Sequence, residues 1–328
     1  MVTKHKYGSA NRVYLGIGWD IIDFKPIRAV TIILRTSGCH WRRCKICNYY
    51  LDGASRPPSD EDLISQIDDA ISRFPEGELM VKIFTSGSFF DTREITEDLQ
   101  KKLIERLPID RIRKLIIESR PEFVTPSSIK YPSEIFDNFE VAIGLETTSD
   151  AIRRNSIDKG FNFEEFKHAV KVAAEAGAGI RTYLLLKPPY LTEKEAIDDM
   201  LKSAEELIPY TKTISLNLTT VREHTPLYDL WKKGYYRPPW LWSAVEVMKQ
   251  IRADRRFDDI AIISDPIAAG KPWGPHNCRK CDNIVKDAIR HFSITQDLKD
   301  LSRLDCSCKR LWEKVLELEK FTHGVPLA

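Results

Sequence analysis

Three cysteines stand close together near the start of the chain: Cys39, Cys44 and Cys47, in the run Thr36-Ser37-Gly38-Cys39-His40-Trp41-Arg42-Arg43-Cys44-Lys45-Ile46-Cys47-Asn48-Tyr49. Thiolates are soft ligands that select zinc and iron–sulfur clusters. Three of them suit a 4Fe–4S cluster with one iron left without a protein ligand. An open iron can bind a small molecule and act on it, whereas a closed cluster only passes electrons. The C-x4-C-x2-C spacing also begins the plant-type ferredoxin pattern, which needs a fourth cysteine to close the cluster. The next cysteine is Cys278, far along the chain among its own neighbours. Zinc with His40 as fourth ligand is a further reading. Buried structural cysteines are a weak one, because the loop is polar and carries arginines.

Four more cysteines, Cys278, Cys281, Cys306 and Cys308, form C-x2-C…C-x-C. Two close pairs separated by a short segment are the usual arrangement of a tetrahedral structural zinc, and zinc binding would also fold the segment that carries them. A second iron–sulfur cluster competes with this reading, and His276 could replace one cysteine. Seven cysteines is an odd count, and the spacings are tight, so a disulfide framework is disfavoured. Arg279, Lys280, Lys309 and Arg310 lie beside these ligands as candidate RNA phosphate contacts. The aromatic residues of 231–242 could join them in an RNA-facing surface, although a packed core is the stronger reading of the tryptophans.

The elements that must position these residues are legible from periodicity. Strand-like apolar runs occupy Val30–Leu34, Leu79–Phe84, Lys114–Glu118, Val141–Leu145, Ile180–Leu186, Thr213–Leu218 and Ile260–Ile263. Helical patterns lie between them. Ser59 with Asp62 resembles a capping box, Asn162 with Glu165 and Thr192 with Glu195 open two further helices, and residues 95–107 keep the same period. Strands alternating with helices predict a parallel sheet, and six such units predict a partial (β/α)6 barrel. Chemistry in such barrels sits at the carboxyl ends of the strands. The first cysteine run directly follows a strand, so it falls at that end.

Bulk properties set outer limits. The chain has 328 residues, 42% hydrophobic and 30% charged, ordinary for a soluble globular protein. Fifty basic against 48 acidic residues give a net charge of +2, too small by itself to argue for nucleic-acid binding. No apolar run approaches the ~20 residues of a membrane helix. Residues 1–10 are polar, unlike a signal peptide, so a cytoplasmic location is the default expectation. The organisation expected is an N-terminal extension over 1–29, a barrel core over 30–220, a last barrel helix with an irregular proline- and tryptophan-rich covering segment over 221–275, and a cysteine-rich extension with a final helix over 276–328.

A strand followed by a three-cysteine loop on this pattern resembles the radical S-adenosylmethionine (SAM) enzymes. Their usual spacing is C-x3-C-x2-C, so this chain departs by one residue, and Ile46 stands where an aromatic residue is usual. Thr85-Ser86-Gly87-Ser88 matches the position of the superfamily's glycine-rich turn. Ile117-Glu118-Ser119-Arg120-Pro121-Glu122 and Lys159-Gly160-Phe161 are similar to segments of the Elp3-like branch. The four-residue gap with Trp41 resembles the radical SAM subunit of archaeosine synthase, the RaSEA family. The resemblance implies a 4Fe–4S cluster on Cys39, Cys44 and Cys47, and SAM near Ile46, Thr85, Ser86, Gly87, Ser88, Glu118, Arg120, Glu146 and Arg181. Glu146 would serve the cofactor's ribose or ammonium, and Arg181 its carboxylate. It further implies a tRNA substrate, a partner subunit that joins lysine to a 7-cyano-7-deazaguanine base, and radical cleavage of that adduct to archaeosine. An unspecified protein reductant and no membrane association complete the expectation. The competing classes are another Elp3-like RNA-modifying enzyme, an electron-transfer iron–sulfur protein and a non-catalytic zinc-dependent RNA-binding subunit.

Overall fold

In the computed structural model, residues 9–54, 56–322 and 325–327 are described. The elements run β1 (Tyr14–Ile22), β2 (Lys25–Leu34), α1 (Asp60–Ile71), β3 (Leu79–Thr85), α2 (Glu97–Glu105), β4 (Ile112–Glu118), α3 (Pro126–Ile135), β5 (Phe139–Glu146), α4 (Asp150–Ile152), α5 (Phe163–Glu175), β6 (Gly179–Leu186), α6 (Glu193–Glu206), β7 (Thr213–Leu218), α7 (Pro226–Lys232), α8 (Leu241–Ala253), β8 (Ala261–Ile263), α9 (Asp282–Thr295), α10 (Lys299–Ser302) and α11 (Cys308–Leu318). The strands form one sheet in chain order from β1 to β8. β1 is antiparallel to β2, while β2–β3, β3–β4, β4–β5 and β7–β8 pair in parallel. Sequential parallel strands joined by helices make the expected partial barrel, here with a cysteine-rich C-terminal extension.

Two compact units divide the chain. The first takes the chain up to Arg42, Asn48–Gly144 and Glu164–Arg181; the second takes Arg43–Cys47, Leu145–Phe163 and the chain from Thr182 onward. In the first, α1 starts at the expected capping box: Ser59 Oγ accepts from Asp62 N–H at 3.2 Å, and Asp62 accepts in return from Ser59 N–H at 2.9 Å. In the second, Thr192 and Glu195 make the same reciprocal pair at the start of α6.

Two expectations need correction. Residues 14–22, assigned to an extension, form β1. The β1–β2 hairpin turns on Asp23 and Phe24, whose φ values are 47° and 61°. Two positive φ angles are the signature of a type I′ turn, which sequence reading detects through Asn-Gly or Asp-Gly. Asp-Phe gives no such signal. Residues 221–275, read as one helix, the Ile260–Ile263 strand and an irregular cover, hold two helices, α7 and α8, besides β8, and are irregular over 264–275. Three of the prolines sit at helix starts: Pro226 is the first residue of α7, and Pro238 and Pro239 directly precede the N-cap Trp240 of α8. The N-terminal polar stretch lies outside the described residues as far as residue 8.

The interior of the first unit carries a layer of paired charges. Asp20 of β1 accepts from Arg181 at 2.8 Å and pairs with Lys82 of β3; Lys114 of β4 pairs with Glu140 of β5 at 2.7 Å, and Glu140 lies 3.5 Å from Arg181. Burial alone would raise the Asp20 pKa. The Arg181 guanidinium and the Lys82 ammonium outweigh it and hold the carboxyl well below the usual range.

Candidate cofactor site and metal centre

In the first unit the ends of β2, β3 and β4 are laced together. Cys39 N–H donates to Ser86 O at 3.0 Å, tying the cysteine loop to the turn after β3. Gly38, at φ 83°, lets the loop bend; a Cβ there would meet Tyr50 Cα at 3.3 Å. Gly38 N–H donates to Thr36 Oγ1 at 3.2 Å, and Thr36 Oγ1–H donates to Glu94 at 2.5 Å. The other Glu94 oxygen accepts from Ser88 N–H at 3.0 Å, and Ser88 Oγ accepts from Arg120 N–H at 3.1 Å. Burial pushes the Glu94 carboxyl up to about 7, against the opposing pull of the Thr36 and Ser88 hydrogen bonds. Arg120 bonds Glu122 at 2.5 Å and lies over the Trp41 ring at 5.5 Å. Phe89 N–H donates to Glu118 O at 3.2 Å. His40 faces Asp91 at 3.1 Å and packs edge-on against Phe123. Thr85, Ser86, Gly87, Ser88, Glu118 and Arg120 therefore gather beside Cys39, at the carboxyl ends of their strands.

Arg181 does not join them. It is the third residue of β6, in the charge layer nearer the opposite ends of the strands, and its guanidinium is engaged by Asp20 and Glu140. That buried pairing replaces the expected one with a cofactor carboxylate.

The second unit holds the other half of the cysteine loop. Cys47 N–H closes a turn on Cys44 O at 3.2 Å. Between them, Lys45 N–H donates to Ile157 O at 2.8 Å, and Lys45 O accepts from Leu227 N–H at 3.1 Å. Ile46 packs on a cluster built from Val221, Leu227 and Tyr236, with Trp231 and Trp273 beside it. Ile157 ends a π-helical turn, Arg153–Ile157, of the kind found at functional sites. Its Arg153 is 1% exposed and gathers the chain after β5: it donates to Leu145 O at 3.2 Å, to Thr147 O and to Asp150, and stacks over Phe161. Glu146, displayed by this stretch, has φ 70° and pairs with Lys159 at 2.5 Å. A left-handed glutamate at a strand end stores backbone strain, a feature that clusters at ligand sites. Sequence reading missed Arg153 and Glu94, since neither stands in a recognisable motif.

The C-terminal cysteines, also in the second unit, come together fully. Their four sulfurs lie within 4.8 Å of one another, with Cys278–Cys281 and Cys278–Cys306 at 3.7 Å and Cys281–Cys308 at 3.6 Å. Four thiolates at ~2.3 Å from one tetrahedral ion sit about 3.8 Å apart. A four-iron cube puts each thiolate on a different iron and spreads them farther. The donor set therefore fits a single ion. Trp242 Nε1–H donates to Cys308 Sγ at 3.2 Å, and Asn277 Nδ2–H to Cys281 Sγ at 3.4 Å, the outer bonds that orient metal-ligating sulfurs. His276 turns its Nδ1 to Gly274 O at 2.7 Å, and all four sulfurs are already present without it. Trp240 and Trp242 are buried, so they belong to the core and not to an RNA-facing surface.

Residues 33–203 match the sequence profile of the Radical SAM superfamily. The chain is 44% identical over 319 residues to archaeosine synthase subunit beta of Methanosarcina acetivorans, covering 94% of this chain and 91% of that one. It is 40% identical over 308 residues to the protein of the same name from Thermococcus kodakarensis, covering 91% and 94%. The chain belongs to the radical SAM superfamily, in the archaeosine synthase subunit beta family. Among solved structures, methylornithine synthase matches with a TM-score of 0.55 at 14% identity, covering 97% of this chain and 84% of that one. Elp3 of Methanocaldococcus infernus matches at 0.51 with 18% identity, covering 70% and 59%. Both likenesses concern the fold. A radical SAM protein uses a 4Fe–4S cluster and SAM. The donors here suit that pair: three soft thiols stand in one loop, and Cys39 N–H is held to Ser86 O at the turn after β3. Among the described residues, no helix is long and apolar enough to cross a membrane.

Proposed function

We propose that this radical SAM protein acts on tRNA in which a partner subunit has joined lysine to a 7-cyano-7-deazaguanine base, and cleaves that adduct to leave the amidine of archaeosine. The observation that carries the reading is the Cys39, Cys44, Cys47 run in a chain 44% identical, over 94% of its length, to a protein named for archaeosine synthesis. Those cysteines would hold the cluster. Cluster and SAM, when bound, supply a 5′-deoxyadenosyl radical for hydrogen abstraction from the lysine moiety. The protein's part is to orient the reactants and exclude water. In this reading Ile46 would offer apolar surface to the adenine, the Thr85–Ser88 backbone would serve the methionine amino group, and Glu146 would accept from ribose or ammonium. Glu118 and Arg120 border the same strand ends.

The C-terminal cysteines would hold zinc, which fits their tetrahedral spacing and fixes the segment that carries them. Arg279, Lys280, Lys309 and Arg310, around these ligands, are the residues proposed to meet tRNA phosphates, which makes binding salt-sensitive. An external electron donor is required. The test is anaerobic reconstitution with iron and sulfide, then SAM and a strong reductant, with and without tRNA carrying the lysine adduct. Formation of 5′-deoxyadenosine together with archaeosine supports the reading. Formation of 5′-deoxyadenosine with the adduct left intact sinks the substrate assignment.

A further inference from the structure

We propose that Glu94 is a positioning residue: its carboxyl clasps the cysteine loop to the glycine turn and thereby sets how tightly the site holds SAM. The inference rests on the reading that these two loops border the cofactor. Glu94 belongs to none of the sequence motifs, yet both of its oxygens are committed. One accepts from Thr36, three residues before Cys39, and the other from the backbone N–H of Ser88. Thr36 in turn accepts from Gly38, and Ser88 from the backbone of Arg120. A continuous hydrogen-bonded chain thus runs across the ends of β2, β3 and β4 with Glu94 at its centre. The Cys39 N–H to Ser86 O bond closes the same gap in parallel.

Gly87 supplies an independent observation. A Cβ at this position would lie 1.8 Å from Glu94 Oε1 and 2.6 Å from Cδ. The absent side chain is therefore the space the carboxyl occupies. A methyl group at 87 would force the carboxyl to shift, first at Oε1, the oxygen that accepts from Ser88 N–H. The bare Cα at 87 therefore serves the Glu94 bond whether or not a ligand also approaches the turn.

The experiment is a double-mutant cycle on the full-length, anaerobically reconstituted protein, reading iron content, thermal midpoint, and SAM affinity by equilibrium titration. Glu94→Ala should keep wild-type iron and weaken SAM binding about ten-fold, the size of one or two lost buried hydrogen bonds. KM for SAM should rise more than kcat falls. Gly87→Ala should weaken binding to a similar degree. The pair Glu94→Ala/Gly87→Ala should be no worse than either single change, because the methyl then fills vacated space. Two losses that multiply would overturn the proposal, as would Glu94→Ala binding SAM within two-fold of wild type. If Glu94→Ala does not fold, the near-isosteric Thr36→Val carries the test: it removes the hydroxyl that bonds Glu94 and should weaken SAM binding several-fold, and unchanged affinity overturns the proposal. Glu94→Gln keeps the shape and can keep both bonds, accepting from Ser88 N–H and donating to Thr36 Oγ1, so it should restore near-wild-type affinity; a loss as large as that of Glu94→Ala overturns the clasp. A wild-type protein that holds iron and binds no SAM would overturn the cofactor reading itself. A wild type that binds SAM while Glu94→Ala or Thr36→Val matches it overturns only the clasp.

Discussion

The two cysteine sets of this protein have been built for opposite ends. The C-terminal set brings four sulfurs within 4.8 Å of one another, hydrogen-bonds two of them to Trp242 and Asn277, and leaves a metal ion no vacant corner. Around it, Ser243 accepts from Trp312 Nε1–H and donates to Glu193, and Glu193 pairs with the buried Lys187 at 2.6 Å. The first set has three sulfurs in a loop that follows a strand. Its backbone is anchored at Cys39 by Ser86, and between Cys44 and Cys47 by Ile157 and Leu227. A complete protein shell is suited to structure, whereas an incomplete one leaves a coordination position for a reactant. The contrast lies in ligand number and placement, not in the ligand type.

The largest test of this contrast exchanges one cysteine at each site. Cys44→Ala should abolish 5′-deoxyadenosine formation and lose iron, with the thermal midpoint moving by a few degrees at most. Cys308→Ser should lose zinc and lower the midpoint by ten degrees or more, on the order of several kcal/mol, since binding at such a site is also folding energy. Iron should remain. Metal analysis and scanning calorimetry of both variants provide the check, and loss of both metals in either variant would break the separation.

A second test sharpens the correction at Arg181. Asp20→Asn should destabilise the fold by about 3–5 kcal/mol at neutral pH, because it removes the carboxylate that Arg181 and Lys82 share in the sheet interior and leaves Glu140, at 3.5 Å, to offset the Arg181 charge. The folded Asp20 pKa is depressed, so its contribution is complete above the unfolded value of about 3.9 and is lost as pH falls through the folded value. Denaturant titrations of wild type and variant should therefore differ most at neutral pH and converge in strong acid. A constant difference across that range would show that the layer acts by shape and not by charge.

The legibility of the chain follows the same division between local and distant causes. The seven apolar runs read as strands all lie in observed strands, apart from the Ile260 end of the last, because their hydrophobicity is local and strong. The helix starts read at Ser59 and Thr192 carry capping boxes, a signal that spans only four residues. β1 escaped: its turn is Asp-Phe, and its burial pattern does not alternate cleanly along an edge strand with Tyr14 and Trp19 exposed. At the candidate site, the cysteines and the glycine turn were legible as motifs. Glu94, Arg153 and the Asp20–Arg181 pair were not, since each acts on partners from other elements; Asp20 and Arg181 are 161 positions apart. Arg181 stood at a plausible strand, and only the strand's depth separates a cofactor ligand from an interior ion pair.

The smallest expected effect asks how far the closed centre depends on the barrel helices. Thr192 caps α6, whose first residue, Glu193, accepts from Trp240 N–H at 2.8 Å and from Ser243 Oγ at 2.5 Å. Trp312, on the helix that begins with Cys308, donates to that same Ser243. Thr192→Ala removes the hydroxyl that accepts from Glu195 N–H and should cost about 1 kcal/mol, roughly 2 °C in a chain of this size. Zinc content and 5′-deoxyadenosine formation should stay at wild-type levels, because Glu193 keeps Lys187, Trp240 and Ser243 as partners. If calorimetry shows the small shift and metal analysis shows full zinc, the four-sulfur centre holds its own geometry once formed. If zinc is released by so slight a loosening of α6, the centre is an extension of the barrel's packing, and the two cysteine sets are less independent than their chemistry suggests.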